Sequence, residues 1–231
     1  MMTKSIDNTG APVIRPEDAE PLLENRYLKA YDLRYAPGQH YFMASRRDRS
    51  ELVAAMSENA AKTMLPDAVT CAVILTDTDG DNARLLLTYE YRYPCGRFLL
   101  SPPAGLLDPE DRAEGEPLLA AAAREIREET GIVIDGAQGD RLFTAFPALF
   151  SSPGMTDESN AIAVAVVRAA KERGISVSFD GVCGTELFEG YALVDEAEAI
   201  RIIKRGRDEQ GNFYSTYTAL VLLYFISGLW R

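Results

Sequence analysis

The sequence predicts an α+β chain in which short β-forming runs surround one amphipathic helix and two more helices close the C-terminal end. Three observations carry that expectation. Runs such as 67–75, 83–91 and 161–167 are rich in aliphatic and β-branched residues and are bounded by Asp, Gly and Pro. Between them Leu119, Ala122, Ala123, Ile126 and Thr130 recur at offsets of three and four, the spacing of one helix face. The segment Asp195 to Arg205 has an acidic start and a basic end and stops at Gly206, as a helix with a satisfied dipole does.

Taken in order, residues 1–24 lack an apolar core of signal-peptide length and are expected to form a flexible N-terminal segment. Residues 25–65 form a second region. Tyr27, Tyr31, Leu33 and Tyr35 supply β-formers, Ala36-Pro37-Gly38-Gln39 a turn, and His40 to Ser45 the returning strand of a hairpin. Ser50 to Met64 reads as helical or irregular, an insertion before the main domain of 66–231. In that domain 67–75 and 83–91 are strands joined by the turn 77–81. Arg97 to Leu100 is a short strand leading into Pro102-Pro103-Ala104-Gly105. The central helix starts at Glu116-Pro117, where proline's fixed φ suits the first helical position, and ends at Gly131. Strands are expected at 132–134, 141–146, 161–167 and 184–193, and Ser215 caps a last helix through Ser227. That helix is apolar on nearly all sides from Leu220, which places it in the core or against a partner subunit.

Composition removes several function classes. A formal charge of −11 over 231 residues argues against a nucleic-acid or acidic-membrane surface, since affinity for phosphate backbones comes from clustered Lys and Arg. The most apolar run, Leu220 to Ile226, is far shorter than the roughly 20 residues of a spanning helix, so no membrane partner is expected. Cys71, Cys95 and Cys183 are odd in number and widely spaced, which fits reduced thiols and a cytoplasmic location. His40 is the only histidine, which argues against Cys-His or Ser-His-Asp catalysis.

The chemistry is expected on the central helix. Glu125 and Glu129 are four apart and Glu128 is three from Glu125, so all three project to one side. Clustered carboxylates without histidine suit a hard ion such as Mg²⁺, with Mn²⁺ as a substitute, rather than zinc. A bare REIREE would fit equally a solvated face laced with pairs such as Arg124 with Glu128.

The longer pattern separates those readings. Glu116, seven residues, then Arg124-Glu125-Ile126-Arg127-Glu128-Glu129-Thr130-Gly131-Ile132 resembles the second half of the Nudix box. The glycine that the box carries six positions before its first glutamate is here Glu110. Gly105 in Pro103-Ala104-Gly105-Leu106-Leu107-Asp108 takes its place, with five extra residues in the loop at 108–115. The PAG start, the loop Ser152-Pro153-Gly154-Met155-Thr156-Asp157-Glu158 and the segment Tyr91-Arg92-Tyr93-Pro94 resemble the ADP-ribose pyrophosphatase branch of that family. Ser101 departs from the glutamate that many relatives carry there.

The resemblance implies an α/β/α sandwich around a mixed sheet, with the N-terminal hairpin as an extension. It implies a Mg²⁺-dependent pyrophosphatase that acts on a nucleoside diphosphate sugar, ADP-ribose first, giving AMP and ribose 5-phosphate. UDP-glucose or GDP-mannose hydrolysis and a non-catalytic ligand-binding regulator are the alternatives. Metal would be held by Glu125, Glu128, Glu129 and the Ala104 carbonyl. Glu158 would position or deprotonate the attacking water, with Asp157 as runner-up. Arg92 would meet the substrate phosphates, Tyr41 and Arg46 the adenine and diphosphate. Arg124 would hold Glu116 or Glu128 in place. Relatives of this branch are homodimers that exchange N-terminal strands, so Tyr41 and Arg46 would serve the other subunit's site.

Overall fold

The computed structural model describes residues 10–179 and 186–231 and divides the chain into two compact units, one of residues 1–65 with 150–159 and one of 66–149 with 160–231. Cys183 and the beginning of the strand expected at 184–193 lie outside the described residues.

The first unit is built on a three-stranded antiparallel sheet in the order β1 (Ala19–Glu24), β2 (Lys29–Ala36), β3 (Gln39–Ser45). The expected hairpin is β2 and β3, turned at Gly38 with φ of 71°. The segment expected to be flexible up to residue 24 contributes β1, paired from Ala19 with Leu33 to Glu24 with Lys29. Ala19 supplies the reason for its docking: it is buried with Tyr31, Leu33, Met43 and Leu52, a small core of its own. Two short 3-10 turns, Arg49–Glu51 and Val53–Ala55, and helix α1 (Glu58–Thr63), capped by Ser57, occupy the expected insertion.

The second unit carries a seven-stranded mixed sheet in the order β10-β5-β4-β9-β8, with β6 and β7 paired to β5 and β4. The ranges are β4 (Ala68–Leu75), β5 (Arg84–Arg92), β6 (Arg97–Ser101), β7 (Ala104–Leu106), β8 (Arg141–Phe150), β9 (Ser159–Val167) and β10 (Phe188–Val194). Only β4 and β9 run parallel among the pairs whose register is resolved, and both are buried along their whole length, as central strands covered on both faces must be. Alternation along β4 sends Val69, Cys71 and Val73 to one face and Ala72 and Ile74 to the other. The first face packs on Ala121, Ala122 and Ile126 of α3 (Pro117–Thr130). The second packs on Ala199 and Ile202 of α4 (Glu196–Arg205) and on Val221, Leu222 and Phe225 of α5 (Thr216–Ser227). This is the expected sandwich, each buried aliphatic contributing about 1.5–3 kcal/mol. Ile126→Asp would strand a charge between α3 and β4 and separate the layers.

Two local expectations are corrected. Residues 132–134 form no strand: Ile132 and Ile134 pack on the core while Val133 faces out, but the Ile132 N–H bonds to Thr130 Oγ1 rather than to a ladder. The loop at 108–115 contains a one-turn helix, α2 (Pro109–Arg112), where Asp111 Oδ2 accepts the Asp108 N–H at 3.0 Å. The last helix buries Val221, Leu222 and Phe225 and leaves Leu223 half exposed in the single chain.

Candidate active site

Helix α3 presents its carboxylates beside, not on, the apolar stripe that holds it to the sheet. Pro117 begins the helix and Gly131, in the left-handed region at φ of 70°, ends it. Those two limits fix the register, so Glu125 and Glu129 fall one turn apart on the edge facing β7. Both are buried, at 7% and 2% exposure. Glu129 Oε1 accepts the Ala104 N–H at 3.1 Å, and Glu129 Oε2 is buried without a hydrogen-bond partner. Gly105 lies so close to the helix that a Cβ there would stand 1.9 Å from Glu125 Oε1. No side chain fits between that strand and that carboxylate.

Arg124 organises the remaining acids. Its Nη1 donates to Glu125 Oε1 at 2.7 Å and to Glu128 Oε2 at 3.2 Å, while Nη2 donates to Asp111 Oδ2 at 2.8 Å and to the Leu106 carbonyl at 2.9 Å. Asp108 Oδ2 is 3.5 Å away. The expected partner Glu128 is thus found. In the place of Glu116, an exposed residue at the helix N-cap, Arg124 takes Asp111, because α2 of the inserted loop carries that buried carboxylate to the guanidinium.

The electrostatics follow from burial. Desolvation pushes the Glu125 carboxyl up to about 7 against the pull of Arg124. Burial pushes Glu129 well above the carboxylate range; the Ala104 N–H opposes it and the charges of Glu90 and Glu125 add to it. Arg124 loses some proton affinity to burial, but its bonds to Asp111 and the charge of Glu125 outweigh that and raise it.

Glu90 was not singled out in the sequence. Period two along β5 puts Leu86, Thr88, Glu90 and Arg92 on one face, and Leu86 packs in the α3 core, so alternation alone marks Glu90 as an inward carboxylate. It is 8% exposed and pairs with Arg92, the expected phosphate ligand. Asp111 was equally legible from Asp108-Pro109-Glu110-Asp111, a capping pattern with proline at the first helical position.

The expected metal ligands Glu125, Glu128 and Glu129 share one edge of α3, yet among the described residues no group of three or more His, Cys, Asp or Glu side chains is gathered around a common point. Arg124 accounts for this by engaging Glu125 and Glu128 itself. The donor set nonetheless fits a hard divalent cation: two buried carboxylates whose ionised forms are penalised, one oxygen with no partner, and a glycine cradle that keeps side chains away.

The remaining expected residues are together on the first unit. Arg46 Nε donates to Glu158 Oε1 at 2.7 Å, and the Tyr41 hydroxyl donates to the Gly154 carbonyl at 2.6 Å. The Ala44 N–H donates to the Met155 carbonyl at 2.9 Å. Asp157 Oδ2 instead accepts the Val53 N–H at 3.1 Å and is buried, which gives it a part in holding the loop. His40 pairs with Asp32 at 2.8 Å, and the described cysteines Cys71 and Cys95 are free. Among the described residues no helix is long and apolar enough to cross a membrane.

Comparison with known proteins places the chain in a family. The profile of the NUDIX domain matches residues 65–216. Putative nudix hydrolase 2 of Caenorhabditis elegans is 38% identical over 80 residues, which is 35% of this chain and 31% of that protein. ADP-ribose pyrophosphatase of Mycobacterium tuberculosis is 40% identical over 79 residues, 34% of this chain and 33% of that protein. ADP-ribose pyrophosphatase of Saccharomyces cerevisiae is 32% identical over 91 residues, 39% and 35% respectively. The chain therefore spans about a third of the length of these curated relatives. A crystal structure of an ADP compounds hydrolase shares the fold, with a TM-score of 0.52 at 21% identity, covering 96% of this chain and 95% of that one.

Proposed function

The chain belongs to the Nudix family, and from that premise we propose that it hydrolyses the diphosphate linkage of a nucleoside diphosphate sugar, ADP-ribose first, in a Mg²⁺-dependent reaction giving AMP and ribose 5-phosphate. One observation carries the catalytic reading. Glu125 and Glu129 are buried carboxylates on the box helix, and Glu129 Oε2 has no protein partner. Burying such groups costs several kcal/mol unless a cation compensates them. The choice of ADP-ribose is supported by two relatives that are named ADP-ribose pyrophosphatases.

In this reading Glu125 and Glu129, with Glu128, would hold the divalent ion, which would supply positive charge against the negative charge that develops on the phosphoryl group. Arg92 grips a phosphate through its planar fork. Arg124 keeps Glu125 and Glu128 oriented, as a partner behind a ligand does. The water oxygen forms the new P–O bond as its proton passes to a general base, the anhydride P–O bond breaks, and the phosphate monoester released carries the electron pair away. Glu158 would position or deprotonate that water, the role that its loop motif implies. We propose a homodimer as well, for which light scattering should give about twice 25.4 kDa.

The test is a side-by-side assay of ADP-ribose, UDP-glucose, GDP-mannose and NADH with Mg²⁺. ADP-ribose is expected to give the highest kcat/KM, with AMP as a product. A higher value for UDP-glucose or GDP-mannose would replace the substrate. No turnover of any of the four would point to a ligand-binding regulator.

A further inference from the structure

We propose that Glu90 is a positioning residue that aims the Arg92 guanidinium at the substrate's phosphate, an inference that rests on the phosphate role given to Arg92 above. The two residues lie two apart on β5 and share the face that packs toward α3. Glu90 Oε2 pairs with Arg92 Nη2, which commits one nitrogen of the guanidinium to the protein and leaves the other donors for a ligand. The burial is one-sided: the Glu90 side chain is 11% exposed and that of Arg92 42%. A buried, fixed anchor thus holds the base of a half-exposed arm.

The need for an anchor is visible in the register. Arg92 stands directly opposite Arg97 on β6, a like-charge pair that repels across the ladder. Left to itself, the long Arg92 side chain would swing away from Arg97 into solvent. The Glu90 carboxylate cancels that repulsion and removes the rotamer freedom that a phosphate would otherwise have to restrict on binding. Its location also serves the site. Glu90 lies on the β5 face whose Leu86 packs in the α3 core, so an arginine tied to it is held on the side of the sheet that carries the α3 carboxylates. A residue whose only duty was to fill the core there would be apolar, since a buried unpaired carboxylate is unfavourable.

The experiment is a double-mutant cycle in the full-length protein with Mg²⁺ and whichever compound of the panel turns over. Glu90→Gln preserves size and removes the charge, Arg92→Ala removes the arm, and the double variant closes the cycle. Expected losses in kcat/KM are roughly tenfold for Glu90→Gln and about a hundredfold for Arg92→Ala, the range for one charge-assisted bond and for a whole phosphate ligand. The Glu90→Gln loss should fall mainly on KM. In the Arg92→Ala background Glu90→Gln should change kcat/KM by less than about twofold, because its effect runs through the arginine. Thermal unfolding of all four proteins checks that each is folded, and Glu90→Asp, which keeps the charge but shortens the reach, should lie between wild type and Glu90→Gln.

An equal Glu90→Gln loss in both backgrounds would make Glu90 a structural residue and overturn the inference. So would an unimpaired Glu90→Gln beside an impaired Arg92→Ala, with the proposed function left standing. An unimpaired Arg92→Ala would remove the phosphate role of Arg92 itself, and this inference with it.

Discussion

Gly105→Ala isolates the closest approach in the site. The added Cβ would meet Glu125 Oε1 at 1.9 Å, Cδ at 2.1 Å and Oε2 at 2.5 Å, where ordinary contact begins at 3.4 Å. Gly105 itself needs no left-handed backbone, since its φ is not among the positive ones, so the substitution acts through space alone. The carboxylate is the end of a flexible side chain and will yield before the backbone does, retreating by more than an ångström and loosening its 2.7 Å bond to Arg124. Loss of one charge-assisted bond at a buried position costs about 1.5–3 kcal/mol, partly recovered as Glu125 regains water. The fold should therefore survive with a lower Tm. Catalysis should not, because a misplacement of about 1 Å at a ligand costs on the order of a hundredfold. The assay is kcat/KM for ADP-ribose across a Mg²⁺ titration, with thermal unfolding alongside. Activity within about threefold of wild type at every Mg²⁺ concentration would refute the claim that the β7–α3 contact shapes the metal edge.

Other perturbations follow from the same geometry. Asp111→Asn should lower stability by about 1–2 kcal/mol in denaturant unfolding, because Arg124 loses its 2.8 Å charged partner; unchanged stability would mean that α2 does not anchor Arg124. Stability in chelator should fall as pH rises. Glu125 has its folded pKa raised from 4.5 to about 7, so the folded state holds that proton more tightly, and its stabilisation is full below 4.5 and lost as pH climbs to about 7. Glu125→Gln should flatten that part of the profile, and a slope identical to wild type would contradict the burial account. Arg46→Ala frees Glu158 from its 2.7 Å pair and should speed proteolysis of the 150–159 loop, as seen by mass spectrometry of the fragments. An unchanged cleavage rate would show that the pair does not order the loop.

Much of this is legible in the sequence. The limits of α3 are, because Pro117 and Gly131 act locally through φ, and the carboxylate edge then follows from the helix period. Gly105 could be placed at the turn from the PAG pattern, but its reason for being glycine is a tertiary approach to Glu125 that no local rule contains. Strand β1 was missed because Ala19-Glu20-Pro21-Leu22-Leu23-Glu24 has poor β-formers and owes its pairing to β2 and a bulge between Pro21 and Leu23. Residues 132–134 were misjudged for the opposite reason: three β-branched residues alternate in and out, but a strand also needs a neighbour to bond. Of the two expected partners of Arg124, Glu116 or Glu128, the structure pairs it with Glu128, and α2, an inserted turn, adds Asp111. Sequence patterns report what each segment can do, and partner choice is settled by which segments the fold brings together.

The proposed dependence of pyrophosphate hydrolysis on a divalent ion at the acidic edge of α3 is tested most directly by following AMP release from ADP-ribose while Mg²⁺ is titrated into chelated wild-type protein and into Glu129→Gln. Saturable activation of the wild type, with activation lost or shifted to far higher Mg²⁺ in the folded variant, is the expected result. Equal rates in the two proteins, or turnover that persists in chelator, would contradict it.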